Sequence, residues 1–435
     1  MVKPSASASV TIDGQRLWRT LVELSRYGAG AEGTGITRLS LSEAEVEARE
    51  SIVRLMKEAG LTVWVDAAGN LIGRLEAFEG GGNGADEAPH LEAYAAKRDG
   101  AVVTGSHIDT VVQAGMFDGA LGVLAGIEAL RTIREHAIPH ARPLEVVCFT
   151  DEEGVRFGAG YFGSRAMAGG WNGEWLELRD AEGITLRAAM ERAGLDPSRC
   201  AGAARTRESV HAYVELHIEQ GRVLEELGAP VGTATAIYGH RWLEASLKGH
   251  ADHAGTTPMA LRRDAAMAAA ESMLAIERIA LAEGGVAAVG AMRLGPGAIN
   301  VIPGESVFTV DLRHERQESL DAMAVAVQDA IVRTADSRGV SAEIRVIDGA
   351  QPVPTSPRIH ALIADSCAEI GLQANPLICG AGHDAVVMSE LAEIGLILVR
   401  SKDGLSHHPM EWSSPEDCEA GANVLLHTLL KLANE

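Results

Sequence analysis

The sequence predicts an α/β protein in which a catalytic domain, built on a mostly parallel sheet flanked by helices, carries a smaller inserted domain. Two observations predict this class. Short apolar segments alternate with amphipathic segments through the first half of the chain, as in proteins that layer helices on a sheet. The order of the segments then changes near residue 240, and 435 residues exceed the usual size of a single domain.

The first domain is expected to place ionisable side chains where its buried strands end. Strands are predicted at 101–104, 144–149 and 212–217, and a helix is predicted at 118–136. His107 follows the first of these strands, Glu152 and Glu153 follow the second, and His217 ends the third. Because ligands collect beyond the carboxyl ends of parallel strands, these side chains are expected to converge.

The second domain has a different predicted order. Its elements are strand 241–248, helix 262–282, strands 286–294 and 306–312, helix 315–337 and strand 341–346. This β-α-β-β-α-β order is that of the ferredoxin-like unit. The expected division is 1–235 for the first part of the catalytic domain, 236–348 for the inserted domain and 349–435 for the second part. The glycine-rich run near 80–99 is expected to be a surface insertion, since such a run cannot build a core.

Composition disfavours several classes of partner. The formal net charge of −22 argues against nucleic acid and anionic membranes, because phosphate contacts need clustered Lys and Arg. The five cysteines form no Cys-x-x-Cys pair, which favours a reducing cytoplasm over a disulfide framework. No apolar run approaches the ~20 residues of a membrane helix, and the first residues lack a signal-peptide core. We expect a soluble, cytoplasmic protein.

His107 and Asp109 form the first candidate pair for metal chemistry. In this interpretation His107 binds a metal ion while Asp109 holds the other ring nitrogen. A single histidine after a strand is more often an ordinary core or loop residue. Asp118 follows in a glycine-flanked turn, and its presence favours the metal interpretation.

Glu152 and Glu153 form the second candidate pair. Adjacent residues of an extended backbone point to opposite sides, so one carboxylate can face a metal and the other an attacking water. A solvated acidic turn is the alternative. It is disfavoured because the pair directly follows an apolar strand and precedes Gly154.

The candidate ligands together predict a centre for two metal ions. They are His107, Asp118, Glu153, His217 and His407, although His408 could replace His407. Mixed nitrogen and oxygen donors suit Zn²⁺ and tolerate Mn²⁺, Co²⁺ or Ni²⁺. If Asp118 bridges two ions about 3.5–4 Å apart, they would activate a water molecule. Glu152 would take the proton of that water and pass it to a leaving nitrogen.

Polar residues of the inserted domain are candidates for substrate binding. Arg313 could hold a carboxylate through two hydrogen bonds, and His253 and Asn300 could donate hydrogen bonds to a developing oxyanion. Turn and capping chemistry is the alternative, and for Asn300 alone it is the favoured one.

Seven motifs spread over most of the chain resemble those of a known family. They are Gly-Ser-His-Ile-Asp-Thr (105–110), Asp-Glu-Glu-Gly-Val-Arg-Phe (151–157), His-Ile-Glu-Gln-Gly (217–221), His-Ala-Gly-Thr-Thr-Pro-Met (253–259), Asn-Val-Ile-Pro (300–303), Gly-Ala-Gly-His-Asp-Ala (380–385) and Gly-Leu-Ser-His-His-Pro (404–409). They resemble the di-metal aminoacylase and glutamate-carboxypeptidase-like amidohydrolases. The most similar branch contains N-carbamoyl-L-amino-acid hydrolase, allantoate amidohydrolase and β-ureidopropionase.

The resemblance implies roles that the residues alone leave open. It implies that His407 rather than His408 is the ligand, that Asp118 bridges and that Glu152 is the base. It also implies a homodimer built on the inserted lid domain, in which His253 reaches the active site of the partner subunit and takes part in catalysis there. The substrate-facing residues that it implies are Gln220, His253, Asn300, Arg313, Gly382 and His383.

The expected activity is hydrolysis of the ureido C–N bond of an N-carbamoyl-L-amino acid or a similar ureide that carries a carboxylate. Allantoate and β-ureidopropionate are alternative substrates. A second alternative keeps the same metal centre but cleaves an N-acyl or peptide bond, and a third is an inactive relative that only binds ureides. The sequence leaves open which ureide, which stereoisomer and which metal are natural.

Overall fold

The computed structural model describes residues 10–31, 33–78 and 99–435, which form two compact units. The first comprises Met1–Thr235 and Thr355–Glu435, and the second comprises Ala236–Pro354. The glycine-rich run near 80–99 is expected to be a surface insertion. Its residues as far as position 98 lie outside the described residues. None of the helices in the described ranges combines the length and the apolar character needed to cross a bilayer.

The helices and strands are numbered in chain order. The helices of the described residues are α1 (Gly14–Leu24), α2 (Glu43–Glu58), α3 (Ala120–Glu135), α4 (Phe162–Met167), α5 (Leu186–Arg192), α6 (Val223–Leu227), α7 (Ala265–Glu283), α8 (Gln317–Ser337), α9 (Pro357–Glu369), α10 (Asp384–Met388) and α11 (Pro415–Asn434). The strands are β1 (Thr62–Val65), β2 (Leu71–Leu75), β3 (Ala101–His107), β4 (Leu144–Phe149), β5 (Val210–Ile218), β6 (Val231–Ile237), β7 (Gly239–Lys248), β8 (Val286–Ala288), β9 (Met292–Gly295), β10 (Glu305–His314), β11 (Ser341–Ala350), β12 (Val353–Pro354), β13 (Pro376–Cys379) and β14 (Glu393–Val399).

The first unit is built on a nine-stranded sheet with a parallel centre. The strand order is β1-β2-β4-β3-β5-β14-β6-β12, and β13 pairs with β6. The central strands β4, β3, β5 and β14 are parallel, while β2 and β6 add to them in the antiparallel direction. Every residue of β3 and β4 is buried, as expected for parallel strands covered on both faces. The predicted mixed α/β class with a central, mostly parallel sheet is confirmed.

The register of the parallel strands sets the position of the candidate site. His107 lies beside Phe149, the last residue of β4, and His217 lies beside Leu398 near the end of β14. The loop after β4 therefore leaves the sheet at the same edge as the two histidines. This is the carboxyl edge, where α/β proteins bind their ligands.

The second unit contains a five-stranded antiparallel sheet in the order β11-β7-β10-β8, with β9 also paired to β10. Alternate residues of β7 and β10 are buried and pack with apolar residues of α7 and α8, so both helices cover one face. The predicted strand 286–294 is divided into β8 and β9, because Ala291 and Thr309 hydrogen-bond outside the regular ladder.

Two element boundaries of the second unit differ from those expected by three residues or more. Helix α7 begins at Ala265 rather than at 262, because the Asp264 carboxylate accepts hydrogen bonds from the amides of Ala266 and Met267 and caps the helix there. The last strand of the unit continues to Ala350 instead of ending at 346.

Candidate metal centre

Five side chains meet at the carboxyl edge of the parallel strands, and Asp118 is at their centre. One carboxylate oxygen of Asp118, Oδ1, lies 3.1 Å from His217 Nε2 and 3.8 Å from His107 Nε2. The other oxygen, Oδ2, lies 3.1 Å from His407 Nε2. The Oε1 atom of Glu153 lies 3.8 Å from the same nitrogen of His407. Asp118 thus belongs to two groups that could each hold a metal ion. The first group is His107, Asp118 and His217, and the second is Asp118, Glu153 and His407.

The donor set fits divalent metal ions. Both groups are the mixed imidazole and carboxylate sets that Zn²⁺ and similar ions bind. Among the described residues, Glu153 Oε1 is buried without a hydrogen-bond partner, although a buried carboxylate oxygen is costly to leave unpaired. Asp118 directs its two oxygens to different groups, as a bridging carboxylate must.

The imidazoles of His107 and His217 are oriented for metal binding. His107 Nδ1 lies 2.9 Å from the main-chain oxygen of Asp109, and His217 Nδ1 lies 3.0 Å from that of Ile218. A carbonyl oxygen only accepts, so Nδ1 carries a proton and Nε2 is the nitrogen available to an ion. In both residues Nε2 faces Asp118.

Asp109 contacts His107 differently from the expected arrangement. Its main-chain carbonyl, not its carboxylate, hydrogen-bonds the ring, and the carboxylate Oδ1 is 3.7 Å from Nδ1. The carboxylate instead accepts hydrogen bonds from the amides of Glu152 (3.3 Å) and Glu153 (3.2 Å). Asp109 therefore links the loop after β3 to the loop after β4.

Glu152 lies beside His107 outside the two Asp118 groups, and it forms a third group of possible ligands with His107 and Glu153. Its Oε2 is 3.6 Å from His107 Nε2, and its side chain is 8% exposed. Burial raises the pKa of Glu152 well above its usual range, against the opposing effect of His107. A raised pKa makes this carboxylate a better proton acceptor, which suits a general base.

The electrostatics of the cluster indicate a need for positive charge. Burial and the neighbouring Asp118 raise the pKa of Glu153 to about 7. The hydrogen bond to Asp118 raises the pKa of His407 to about 9. Burial alone would lower the pKa of His107, but Glu152 and other carboxylates raise it well above its usual value. The carboxylates thus draw protons onto the imidazoles, and divalent ions would supply the same positive charge.

Unusual backbone conformations occur at the centre. Asp151, Gln220 and His407 have φ of 54°, 58° and 53°, which is uncommon for residues other than glycine. Gly119 has φ of 64°, and a Cβ at this position would lie 2.5 Å from His107 Nε2. Only glycine lets the chain after Asp118 pass so close to the ring.

Gln220 and His383 lie at the same centre. The side-chain amide nitrogen of Gln220 donates to Asp118 Oδ2 (3.2 Å) and Ser406 Oγ (2.9 Å), while its Oε1 is buried and has no hydrogen-bond partner within the described part of the chain. The ring of His383 lies 4.1 Å from that of His217. The neighbouring Gly382 faces the Tyr161 hydroxyl, which a Cβ at this position would approach to 2.0 Å.

The other expected substrate residues belong to the second unit. His253 is exposed and forms an isolated bridge with Val301, which places it beside the exposed Asn300, and the Asn300 main-chain oxygen accepts from the amide of Ala254. Arg313 lies on β10, and its guanidinium pairs with Asp311 at 2.9 Å.

Two residues that hold the site together were not identified from the sequence. Glu215, within β5, accepts from the Ser106 hydroxyl (2.7 Å), the Tyr213 hydroxyl (3.1 Å) and the amide of Ala385 (2.9 Å). A charged residue inside an apolar strand was an available signal. Arg38 donates to the main-chain oxygens of Ile108, Leu24 and Tyr27. No local pattern marks that role.

A mixed α/β fold with this cluster at the carboxyl edge of its parallel strands defines a candidate metal-dependent hydrolase. Residues 103–431 match the family model described as Peptidase family M20/M25/M40, and the chain belongs to this family. It is similar to an N-carbamoyl-L-amino acid amidohydrolase of Geobacillus stearothermophilus, with 46% identity over 97% of this chain and 99% of the relative. It is also similar to an allantoate amidohydrolase of Bacillus subtilis (strain 168), with 34% identity over 94% of this chain and 95% of the relative.

The chain is also similar in structure to solved members of the hydantoinase/carbamoylase family of amidases. The crystal structure of an amidase of the hydantoinase/carbamoylase family from Burkholderia multivorans has a TM-score of 0.88 and 37% identity, over 98% of this chain and 99% of that one. The family resemblance inferred from the motifs is confirmed.

Proposed function

We propose that the protein is a metal-dependent amidohydrolase that cleaves the ureido C–N bond of N-carbamoyl-L-amino acids or a similar ureide. The observation that carries the proposal is Asp118, whose two oxygens serve separate ligand groups beside the buried base Glu152. The similarity to amidohydrolases over almost the whole chain supports the substrate class.

We assign His107, Asp118 and His217 to one metal ion, and Asp118, Glu153 and His407 to the other. Zn²⁺ or Mn²⁺ fits these donors best, and Co²⁺ or Ni²⁺ is compatible with them. When bound, the ions would polarise the ureido carbonyl and acidify the attacking water. Asp109 keeps the two loops in register through its bonds to the amides of Glu152 and Glu153.

Glu152 moves the protons of the reaction. Its carboxylate accepts the proton of the attacking water and donates it to the nitrogen that leaves. One water and one ureido group then give the amine, carbon dioxide and ammonia. The buried position of Glu152 favours this role, because a carboxylate with a raised pKa holds the transferred proton until the C–N bond breaks.

We propose that Gln220, Gly382 and His383 contact the substrate beside the metal centre. The unpaired Oε1 of Gln220 is an acceptor for a ureido N–H group. From the second unit, we assign His253 and Asn300 to the developing oxyanion, with His253 contributed to catalysis, and Arg313 to the substrate carboxylate. The exposure of His253 and Asn300 leaves both available to a ligand.

We further propose that the second unit is a ferredoxin-like lid through which a homodimer forms. Its strand and helix order, with β8 and β9 together in place of one strand, supports this assignment. Met267, Leu274 and Leu281 recur every seven residues on the exposed side of α7, as on helices that pack against a partner. Light scattering of the purified protein tests the dimer.

All five cysteines are unpaired, which supports a reducing, cytoplasmic location.

Ammonia release from a panel of substrates tests the activity. Protein reconstituted with Mn²⁺ or Zn²⁺ is offered N-carbamoyl-L-amino acids, their D enantiomers, β-ureidopropionate and allantoate, with N-acetyl amino acids and dipeptides as the non-ureido comparison. The proposal predicts ammonia from at least one ureide. Cleavage of only the acyl or peptide compounds would assign the centre to a different reaction, and no turnover by metal-loaded protein would refute the proposal. The second candidate, allantoate, is favoured by the similarity to the Bacillus subtilis enzyme.

A further inference from the structure

The loop that carries His407 needs a structural support that the ligands themselves do not provide. The His407 side chain is 51% exposed, whereas that of Asp118 is 4% exposed. The backbone of His407 has φ of 53°, a conformation that persists only where the surroundings impose it. The structure must therefore hold this loop against the rest of the centre.

Glu411 supplies this support within the same loop. One carboxylate oxygen of Glu411, Oε1, accepts hydrogen bonds from the amides of Phe117 (3.0 Å) and Asp118 (3.2 Å). The other, Oε2, accepts from the hydroxyl of Ser406 (2.9 Å), the residue before His407. One buried side chain thus joins the backbone of Asp118 to the residue that precedes His407.

Two further features surround the Glu411 carboxylate. Trp412 packs edge-on against Phe117, at 5.7 Å between ring centroids, and against Trp18, at 5.4 Å. Gly115 leaves room for Glu411, because a Cβ at this position would lie 2.3 Å from the Glu411 Cβ and 2.5 Å from its Oε1. Residues 115–118 therefore contact both Glu411 and its neighbour Trp412.

We propose that Glu411 is a positioning residue that holds His407 beside Asp118 in the metal-binding group of Asp118, Glu153 and His407. The inference rests on the proposed two-metal centre and goes beyond it, because it assigns selective control of one ion to a residue that touches neither ion nor substrate. The group of His107, Asp118 and His217 also contains Asp118, but its two imidazoles are carried by β3 and β5, outside the Glu411 loop. Loss of Glu411 should therefore weaken one metal site far more than the other.

Calorimetric titration of the metal-free, full-length protein with Mn²⁺ tests this assignment. Wild type is expected to bind two equivalents. Glu411→Ala is expected to bind the first normally and the second about 10- to 100-fold more weakly, as when a residue supporting a metal ligand is removed. Glu411→Gln should recover most of the affinity, because its amide oxygen still accepts from the Phe117 and Asp118 amides and its NH₂ group can donate to Ser406.

Two more variants separate positioning from general stability. Gly115→Ala displaces the Glu411 side chain without removing it and should also weaken the second equivalent. Asp180→Ala is the matched control, because Asp180 also accepts from two main-chain amides, those of Glu182 and Ile184, and from one side chain, Arg156. It should bind both equivalents as wild type does, at a comparable loss of melting temperature.

Each outcome decides the inference. Equal affinities for both equivalents in Glu411→Ala and wild type would overturn it and leave the proposed centre intact. Equal weakening of both sites, matched by Asp180→Ala, would make Glu411 a general stability residue and also overturn it. A wild-type protein that binds fewer than two equivalents would refute the two-metal centre itself, and the inference with it.

Discussion

The contact between Gly119 and His107 makes Gly119→Ala a sharp test of the centre. Gly119 immediately follows Asp118 and precedes α3, and its φ of 64° and ψ of −46° are unfavourable for a residue with a side chain. An added Cβ would lie 2.5 Å from the Nε2 and Cδ2 atoms of the His107 ring. The substitution therefore combines backbone strain with a direct collision at a proposed metal ligand.

The structure gives the size of both effects. At φ of 64° and ψ of −46° Gly119 lies outside the left-handed helical region, and an L residue in such a sparsely populated conformation costs roughly 1–3 kcal/mol of folding free energy. Since nonbonded carbon atoms prefer separations of about 3.5–4.0 Å, the His107 ring must retreat by about 1 Å. A displacement of this size in a catalytic centre can lower the rate about 100-fold. We expect Gly119→Ala to lose stability, affinity for the ion that His107 binds, and most of its activity.

Gly228→Ala is the matched control for this experiment. Gly228 ends α6 with φ of 64° and ψ of 24°, and a Cβ there would meet no atom of the described residues within 4 Å. It should lose roughly 1–2 kcal/mol in urea denaturation and keep wild-type metal affinity and kcat. If Gly119→Ala matched Gly228→Ala in metal affinity and kcat, the close approach of Gly119 to His107 would have no functional role and the reasoning would be wrong.

Three other predictions test the roles of individual groups. Glu152→Gln should keep near-normal metal content by elemental analysis while kcat falls about 10²- to 10⁴-fold, as for a lost general base; loss of metal would instead make Glu152 a ligand. Chelation should abolish activity and lower the melting temperature, because an ion present at 100 times its Kd stabilises the folded state by about 2.7 kcal/mol. Mn²⁺ or Zn²⁺ should restore both properties, and activity that survives exhaustive chelation would contradict the metal requirement. Arg313→Ala should raise the KM for carboxylate-bearing substrates, because losing a charge pair that the bound substrate buries weakens binding by about 2–5 kcal/mol. An unchanged KM would remove Arg313 from the substrate site.

The parallel centre of the first unit could be predicted because its residues report their own environment. Strands β3 and β4 contain the apolar runs Ala-Val-Val (101–103) and Val-Val-Cys-Phe (146–149), which are typical of strands buried on both faces. His107 and His217 end such runs, so the edge at which they meet follows from the direction of the strands. Asp118 could be placed with them because it lies in a glycine-flanked turn at the start of a predicted helix.

The supporting contacts could not be predicted, because they join residues that are far apart in the chain. Glu411 accepts a hydrogen bond from the amide of Phe117, 294 positions earlier, and Glu215 accepts one from the hydroxyl of Ser106, 109 positions earlier. Neither spacing leaves a periodic pattern in the sequence. The hydrogen bonds of the Asp109 carboxylate could not be predicted for a similar reason, because they come from amides in the loop after the next strand, 43 and 44 positions later.

The position of the second unit in the chain explains how an insertion leaves the metal centre intact. The chain leaves the first sheet after β6 and returns through β12, and these strands pair directly, with Ile237 beside Val353 and Ala236 beside Pro354. The ends of the insertion are thus fixed as neighbours by the sheet itself. The entropy of closing such a loop rises only with the logarithm of its length, so the long insertion adds little cost to the fold of the first unit. This low entropic cost matters for the candidate metal centre, because β14, which pairs with β5, and the loop of His407 both come after the insertion.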